Sequence, residues 1–194
     1  MFRAIELLVL FTLVGCASVH KVGIRSATGV ISKAAKEVET EPNWVVFEKS
    51  TLPNLKTLEG LLYVDPNNKT ILLALVKGYG GYAFGVEETK ALLDPNATKD
   101  ATIYYGKAVA YGLSYLEKHD MSFKGLLNAA RNEGIPAYLD ENLDNDELRD
   151  IEAAFFLAQS WGGLINLNKD NVMLMSQLGF VKGLFDWACG AKPD

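Results

Sequence analysis

The stretch Leu72-Leu73-Ala74-Leu75-Val76-Lys77-Gly78-Tyr79-Gly80-Gly81-Tyr82-Ala83-Phe84-Gly85-Val86 decides how the chain is read. Leu72, Leu75, Tyr79, Tyr82 and Val86 recur in steps of three and four, which lines them along one helix face. The run is short for a bilayer crossing and carries Lys77 in its middle, so it reads as a helix buried in protein. Downstream the same spacing returns three times. Ala101, Tyr104, Ala108, Tyr111 and Tyr115 form the second stripe, and Leu148, Ile151, Phe155, Ala158, Gly162 and Ile165 the third. Leu174, Leu178, Val181, Phe185 and Ala188 form the fourth. No convincing period-two alternation interrupts them, and the fold class is all-α.

Between the stripes, Asp65-Pro66-Asn67-Asn68 and Asp94-Pro95-Asn96 mark helix boundaries, and Asp144-Asn145-Asp146-Glu147 matches a capping box. Short turns between helices of this length imply antiparallel neighbours, hence stacked helical hairpins. The segment from Ala153 to Leu167 is apolar nearly all round, broken only by Gln159, Ser160 and Asn166, so other helices should surround it. The two Asp-Pro-Asn turns and the pairs Tyr79-Gly80 and Tyr111-Gly112 hint at a repeat close to the ~34 residues of tetratricopeptide hairpins. A degenerate tetratricopeptide-like array over residues 26–194 is the expected architecture.

Six of the eight tyrosines fall between positions 79 and 115, among Gly78, Gly80, Gly81 and Gly85. Each glycine costs about 1 kcal/mol against alanine within a helix, so the cluster needs a compensating reason. Close helix approach is one. A ligand lying against bare backbone is the other, and tyrosine, with an apolar body and one polar tip, suits the wall of an amphipathic pocket. Tyr79, Tyr82, Phe84, Tyr104, Tyr111 and Trp161, the last beside Gly162-Gly163, are the candidate ligand-contacting residues, with plain core as the competing reading.

The chain has 194 residues, 49% of them hydrophobic, and a formal charge of −5. That suits one globular domain with a sizeable core and argues against a nucleic-acid partner. With two cysteines and two histidines, no metal-ligand spacing or nucleophile elbow occurs, so neither an enzyme nor a cofactor is expected. The acidic run from Asp140 to Glu147 fails as a calcium loop, because Asn145 and Ile151 stand where glycine and glutamate are needed. His119 follows Lys118 at a helix end, where positive charge complements the dipole.

The N-terminus carries Arg3, an apolar run from Leu7 to Val14, and then Gly15-Cys16. This is the pattern of a secretory signal, here residues 1–15. Leu13-Val14-Gly15-Cys16 resembles a bacterial lipobox, which makes Cys16 the lipidation site and residues 16–25 a tether; an ordinary signal that happens to hold a cysteine is the alternative. Ala17, rather than Asp, follows the cysteine, which allows outer-membrane sorting.

Taken in order, the residues resemble the T-component lipoproteins of TRAP transporters. The likeness runs from the lipobox through Pro42-Asn43-Trp44, Leu52-Pro53-Asn54-Leu55-Lys56 and Glu59-Gly60-Leu61-Leu62 to Gly78-Tyr79 and Tyr82-Ala83-Phe84. It continues with Tyr111-Gly112-Leu113, Ala153-Ala154-Phe155, Trp161-Gly162, Asp170-Asn171 and a final helix to Trp187. The resemblance implies a lipid-anchored, periplasm-facing, all-helical accessory protein without enzymatic activity. It implies a TRAP-type periplasmic substrate-binding protein as partner, a hydrophobic small molecule as ligand, and self-association into a homo-oligomer. Such proteins continue into further hairpins, so the array here is expected to lack C-terminal ones. A protein–protein scaffold without a small-molecule ligand is the alternative function.

Overall fold

A computed structural model describes residues 40–191; the signal, Cys16 and the tether lie outside them. Every regular element among the described residues is helical. In chain order they are α1 (Trp44–Val64), α2 (Lys69–Tyr82), a π turn (Ala83–Glu87), α3 (Glu88–Ala91), α4 (Ala97–Glu117), α5 (Phe123–Arg131), α6 (Ile135–Asp140), α7 (Leu148–Leu167), α8 (Val172–Met175) and α9 (Leu178–Gly190).

Asparagine side chains cap three of these helices. Asn43 accepts from the backbone of Val45 and Val46 at 3.0 and 3.3 Å, Asn68 from Ile71 at 3.2 Å, and Asn171 from Met173 and Leu174 at 3.1 and 3.2 Å. Each satisfies N–H groups that the first helical turn leaves without partners. Ser122 does the same for α5, accepting from Gly125 at 3.0 Å. Gly134, at φ +92°, makes the reversal between α5 and α6 that a side chain would resist.

The capping box at 144–147 does not start α7. Asp144 instead accepts from the backbone of Asp146 at 3.0 Å, Glu147 occupies the cap position without a side-chain bond, and the helix opens at Leu148. The buried carboxylate of Asp150 reaches back to accept from the Asp144 N–H at 3.2 Å, taking over the tie that the sequence assigned to Glu147.

The pairings of residues fix the directions of the helices. Tyr82 meets Tyr104, and Tyr79 meets Lys107 and Tyr111, so α2 and α4 run antiparallel. Tyr105 sits on Gly163 and Leu157 on Gly112, which makes α4 and α7 antiparallel too. Trp161 packs on Phe180 and Phe155 on Phe185, giving the same relation for α7 and α9. Lys77 pairs with Glu152 while Gly80 faces Ser160, so α2 and α7 are parallel. Helix α7 thus has α2 and α4 on one side and α9 on the other, as its apolar circumference requires. Leu157, Ala154, Ala158 and Trp161 fill the centre of the main core, and a second core of Leu55, Ile71, Leu75, Tyr79 and Ala108 lies towards α1.

The close approaches occur at glycine. A Cβ on Gly78 would stand 2.3 Å from Leu55, one on Gly112 2.7 Å from Leu157, and one on Gly163 2.4 Å from the Tyr105 ring. Gly81 has nothing within 4 Å and lies on the surface.

Candidate functional site

The aromatic cluster of α2 and α4 is organised by a residue of α1. Leu55, Leu58 and Leu62 define the apolar stripe of that helix, and Glu59 stands on the same stripe. Its Oε1 accepts from the Tyr79 hydroxyl at 2.7 Å, the Tyr111 hydroxyl at 2.9 Å and the Lys107 ammonium at 2.8 Å. Its Oε2 accepts from Lys56 at 2.5 Å. Burial pushes this carboxyl up, yet the two ammonium groups and two hydroxyls outweigh it and bring the pKa down to about 2. Glu59 is therefore an anion throughout the physiological range. Burial and the neighbouring anion together push the Tyr79 and Tyr111 hydroxyls up, so both remain protonated donors.

Above the carboxylate the rings stack. Tyr79 lies nearly parallel to Tyr104 and to Tyr111, with centroids 5.9 Å away in both cases. Tyr82 meets the edge of Tyr104 at 5.2 Å. Lys107 donates to the Tyr79 oxygen at 3.2 Å and sits 4.7 Å from the centre of its ring. Tyr79 and Tyr82 are buried, whereas Tyr104, Lys107 and Tyr111 are half-buried. Those three share one face of α4 by their three- and four-residue spacing, and they form the solvent-facing edge of the cluster.

A second polar knot closes the cluster where the π turn ends. Glu87 is buried in the wide turn and faces Lys90, which bonds to it at 3.2 Å and to Glu48 of α1 at 2.7 Å. Burial, helped by Glu87 and opposed by Lys90, pushes the Tyr82 hydroxyl up to about 12. The adjoining Glu88 accepts from Tyr105, and Asp150 accepts from Tyr115. Buried tyrosines along α2 and α4 therefore end on carboxylates rather than on water.

Four of the six sequence-derived candidates, Tyr79, Tyr82, Tyr104 and Tyr111, come together here. Phe84 points away and is 60% exposed. Trp161 lies in the main core, packed on Phe123 and Phe180, with its indole N–H donated to Gln177 at 2.9 Å. The six do not line one site. Glu59 and Lys107 escaped the sequence reading although each is a charge standing on an apolar stripe, which is the signal that could have found them.

His119 also departs from expectation. It lies half-buried over the Tyr115 ring, with Nε2 3.3 Å from Asp150, and burial holds its pKa below the ordinary value despite that carboxylate. Its role is packing above Asp150 more than balancing the helix dipole. Among the described residues no group of acidic, histidine and cysteine side chains could hold a metal ion, and no helix is long and apolar enough to cross a membrane.

An all-helical body whose tyrosines are pinned by carboxylates is the class that fold and site define. A family model, the TRAP transporter T-component, matches residues 41–194, and the chain belongs to that family. The family is one of transporter accessory components, which ties the chain to the cell envelope. No curated protein and no solved structure matches the chain.

Proposed function

We propose that this T-component is lipid-anchored through Cys16, faces the periplasm, and holds a hydrophobic or amphipathic solute in concert with the periplasmic substrate-binding protein of its transporter. The solute-facing surface is the Tyr79–Tyr104–Tyr111 stack with Lys107 and Glu59 at its edge. The observation that carries this reading is the half-buried face of α4, where two tyrosine rings flank an ammonium group already fixed by an anion. Such a face offers an apolar solute two ring surfaces, and offers its polar end a cation whose position is set before binding. Ala17 after the cysteine allows outer-membrane attachment in the same reading.

The scaffold reading has its own support. Gly78, Gly112 and Gly163 are each occupied by a side chain of the same chain, so the helix contacts within the body leave no notch there for a solute. A protein partner using the outer surface alone would suit that arrangement. Native mass spectrometry of the chain captured with the substrate-binding protein from the same transporter separates the two. Solute handling predicts a complex that retains a small molecule. A complex always free of small molecules supports the scaffold, and failure of the binding protein to associate removes both readings.

A further inference from the structure

The helix pairings determine which termini share an end of the body. Trp44, at the start of α1, is 3.8 Å from where a Cβ of Gly85 would stand, and Glu48 pairs with Lys90 at 2.7 Å. Helix α1 therefore begins where α2, the π turn and α3 finish. Helix α4 starts at this end and α7 finishes there, because Tyr105 sits on Gly163. The link from α7 to α9 lies there as well, with α8 inside it, since Trp161 bonds to Gln177.

Bare apolar side chains collect on that end. Leu92 is 83% and Leu93 94% exposed, in the turn after α3; Val172 is 80% and Met173 77% exposed, opening α8. In each pair two successive residues both face outward, so neither is merely the overhang of a buried helical face. Phe84 and Trp44 add two half-exposed rings to the same region. The opposite end presents less: Tyr63, Val64 and Leu148, the first with a polar tip.

The geometry points to this end as a lipid-seating surface, in which Leu92, Leu93, Val172 and Met173 enter the boundary between headgroups and acyl chains. This rests on the proposed anchoring at Cys16. Helix α1 begins at Trp44, on the same end, and 28 residues along the chain separate it from Cys16, a reach of at most about 100 Å. Exposed Lys99 and Lys169 stand close in sequence to exposed Asp94, Asp100 and Asp170, so the surroundings of the apolar tips carry no excess of positive charge. Attraction is then apolar rather than electrostatic, and an indole such as that of Trp44 favours the headgroup layer. With that end seated, Glu59, fifteen residues along α1 from Trp44, stands about 22 Å further from the lipid. The Glu59 end of the tyrosine stack, with Tyr79, Lys107 and Tyr111, is thereby held clear of the bilayer, where a soluble partner can reach it.

The test uses full-length acylated protein in vesicles of phosphatidylethanolamine and phosphatidylglycerol. An environment-sensitive fluorophore is attached at Leu93→Cys, Met173→Cys or Tyr63→Cys, each in a Cys189→Ser background. All three labelled positions are highly exposed, so folding is not at stake. Quenching by nitroxide lipids at positions 93 and 173 is expected to exceed that at 63 at least threefold. Equal quenching at all three positions would overturn the inference. So would a fluorescence shift that appears without lipid and grows with protein concentration, because a second copy would then cover the surface. Mass spectrometry of Cys16 tests the anchor separately. Should that residue be unmodified, the anchoring reading fails, while the same quenching with vesicles in excess, repeated with Cys16→Ser so that only the introduced thiol is labelled, still decides the seating surface.

Discussion

Tyr79 and Tyr111 donate their hydroxyls to the same oxygen of Glu59, at 2.7 and 2.9 Å. Each is followed by a glycine that receives a side chain of α7: Ser160 at Gly80 and Leu157 at Gly112. The Tyr-Gly dipeptide therefore does two jobs in each helix, sending a ring towards α1 and opening the backbone towards α7. The two Tyr-Gly pairs of the sequence thus share one local geometry.

Removing the acceptor should loosen α1 from α2 and α4. Glu59→Gln is expected to cost about 2 kcal/mol, the scale of hydrogen bonds to a charged group, measured by urea unfolding near neutral pH. The pKa of Glu59 in the folded chain, about 2, is below the ordinary 4.5, so the unfolded chain takes up this proton first. Its contribution is complete above about pH 4.5 and is lost as pH falls towards 2. The wild type should lose more stability than Glu59→Gln across that window; parallel profiles would contradict the anionic assignment.

Glycine substitutions should split in sign. Gly163→Ala would drive a methyl to 2.4 Å from the Tyr105 ring, which is held at its tip by Glu88, and Gly112→Ala would meet Leu157 Cδ1 at 2.7 Å and its Cβ at 3.0 Å. Each is expected to destabilise by about 1–3 kcal/mol. Gly81→Ala meets nothing and should stabilise by about 0.5–1 kcal/mol through helix propensity. Thermal midpoints of the three variants check this, and a destabilised Gly81→Ala would show that the surface at that position is already occupied.

The carboxylate of Asp150 ties α4 to the start of α7 through Tyr115 and the Asp144 backbone. Asp150→Ala should cost about 3 kcal/mol and Tyr115→Phe about half as much. Burial keeps the His119 imidazole below its ordinary 6.5, so the unfolded chain is protonated first and stability falls as pH drops below about 6.5. Proton NMR should find His119 titrating below that value, and a normal or raised titration would place the ring in solvent or in a lasting ion pair.

Much of the fold was legible because apolar spacing is a local property. The first three stripes became α2 with its π turn, α4 and α7, the fourth became α9 except for Leu174, which falls in the separate α8, and the all-round apolar segment became the helix with neighbours on both sides. Capping was less legible: Asn43, Asn68 and Asn171 act as caps, but the acidic box at 144–147 was pre-empted by Asp150, a residue recruited through the tertiary fold. The site was half legible. Tyrosines announce themselves by composition, whereas Glu59 and Lys107 matter because helices distant in sequence converge on one carboxylate, which no local pattern encodes. Phe84 and Trp161 share the tyrosines' neighbourhood in sequence but sit on other helix faces.

Contact between a solute and the edge of the tyrosine stack is read out by titrating delipidated protein with an apolar fluorescent probe. Tyr104→Ala removes a half-buried ring from that edge while leaving Glu59 and its four donors in place. Probe affinity should then fall about tenfold, equivalent to about 1.4 kcal/mol, whereas Trp161→Phe, in the separate core, leaves it unchanged. Equal affinity in wild type and Tyr104→Ala would contradict that contact.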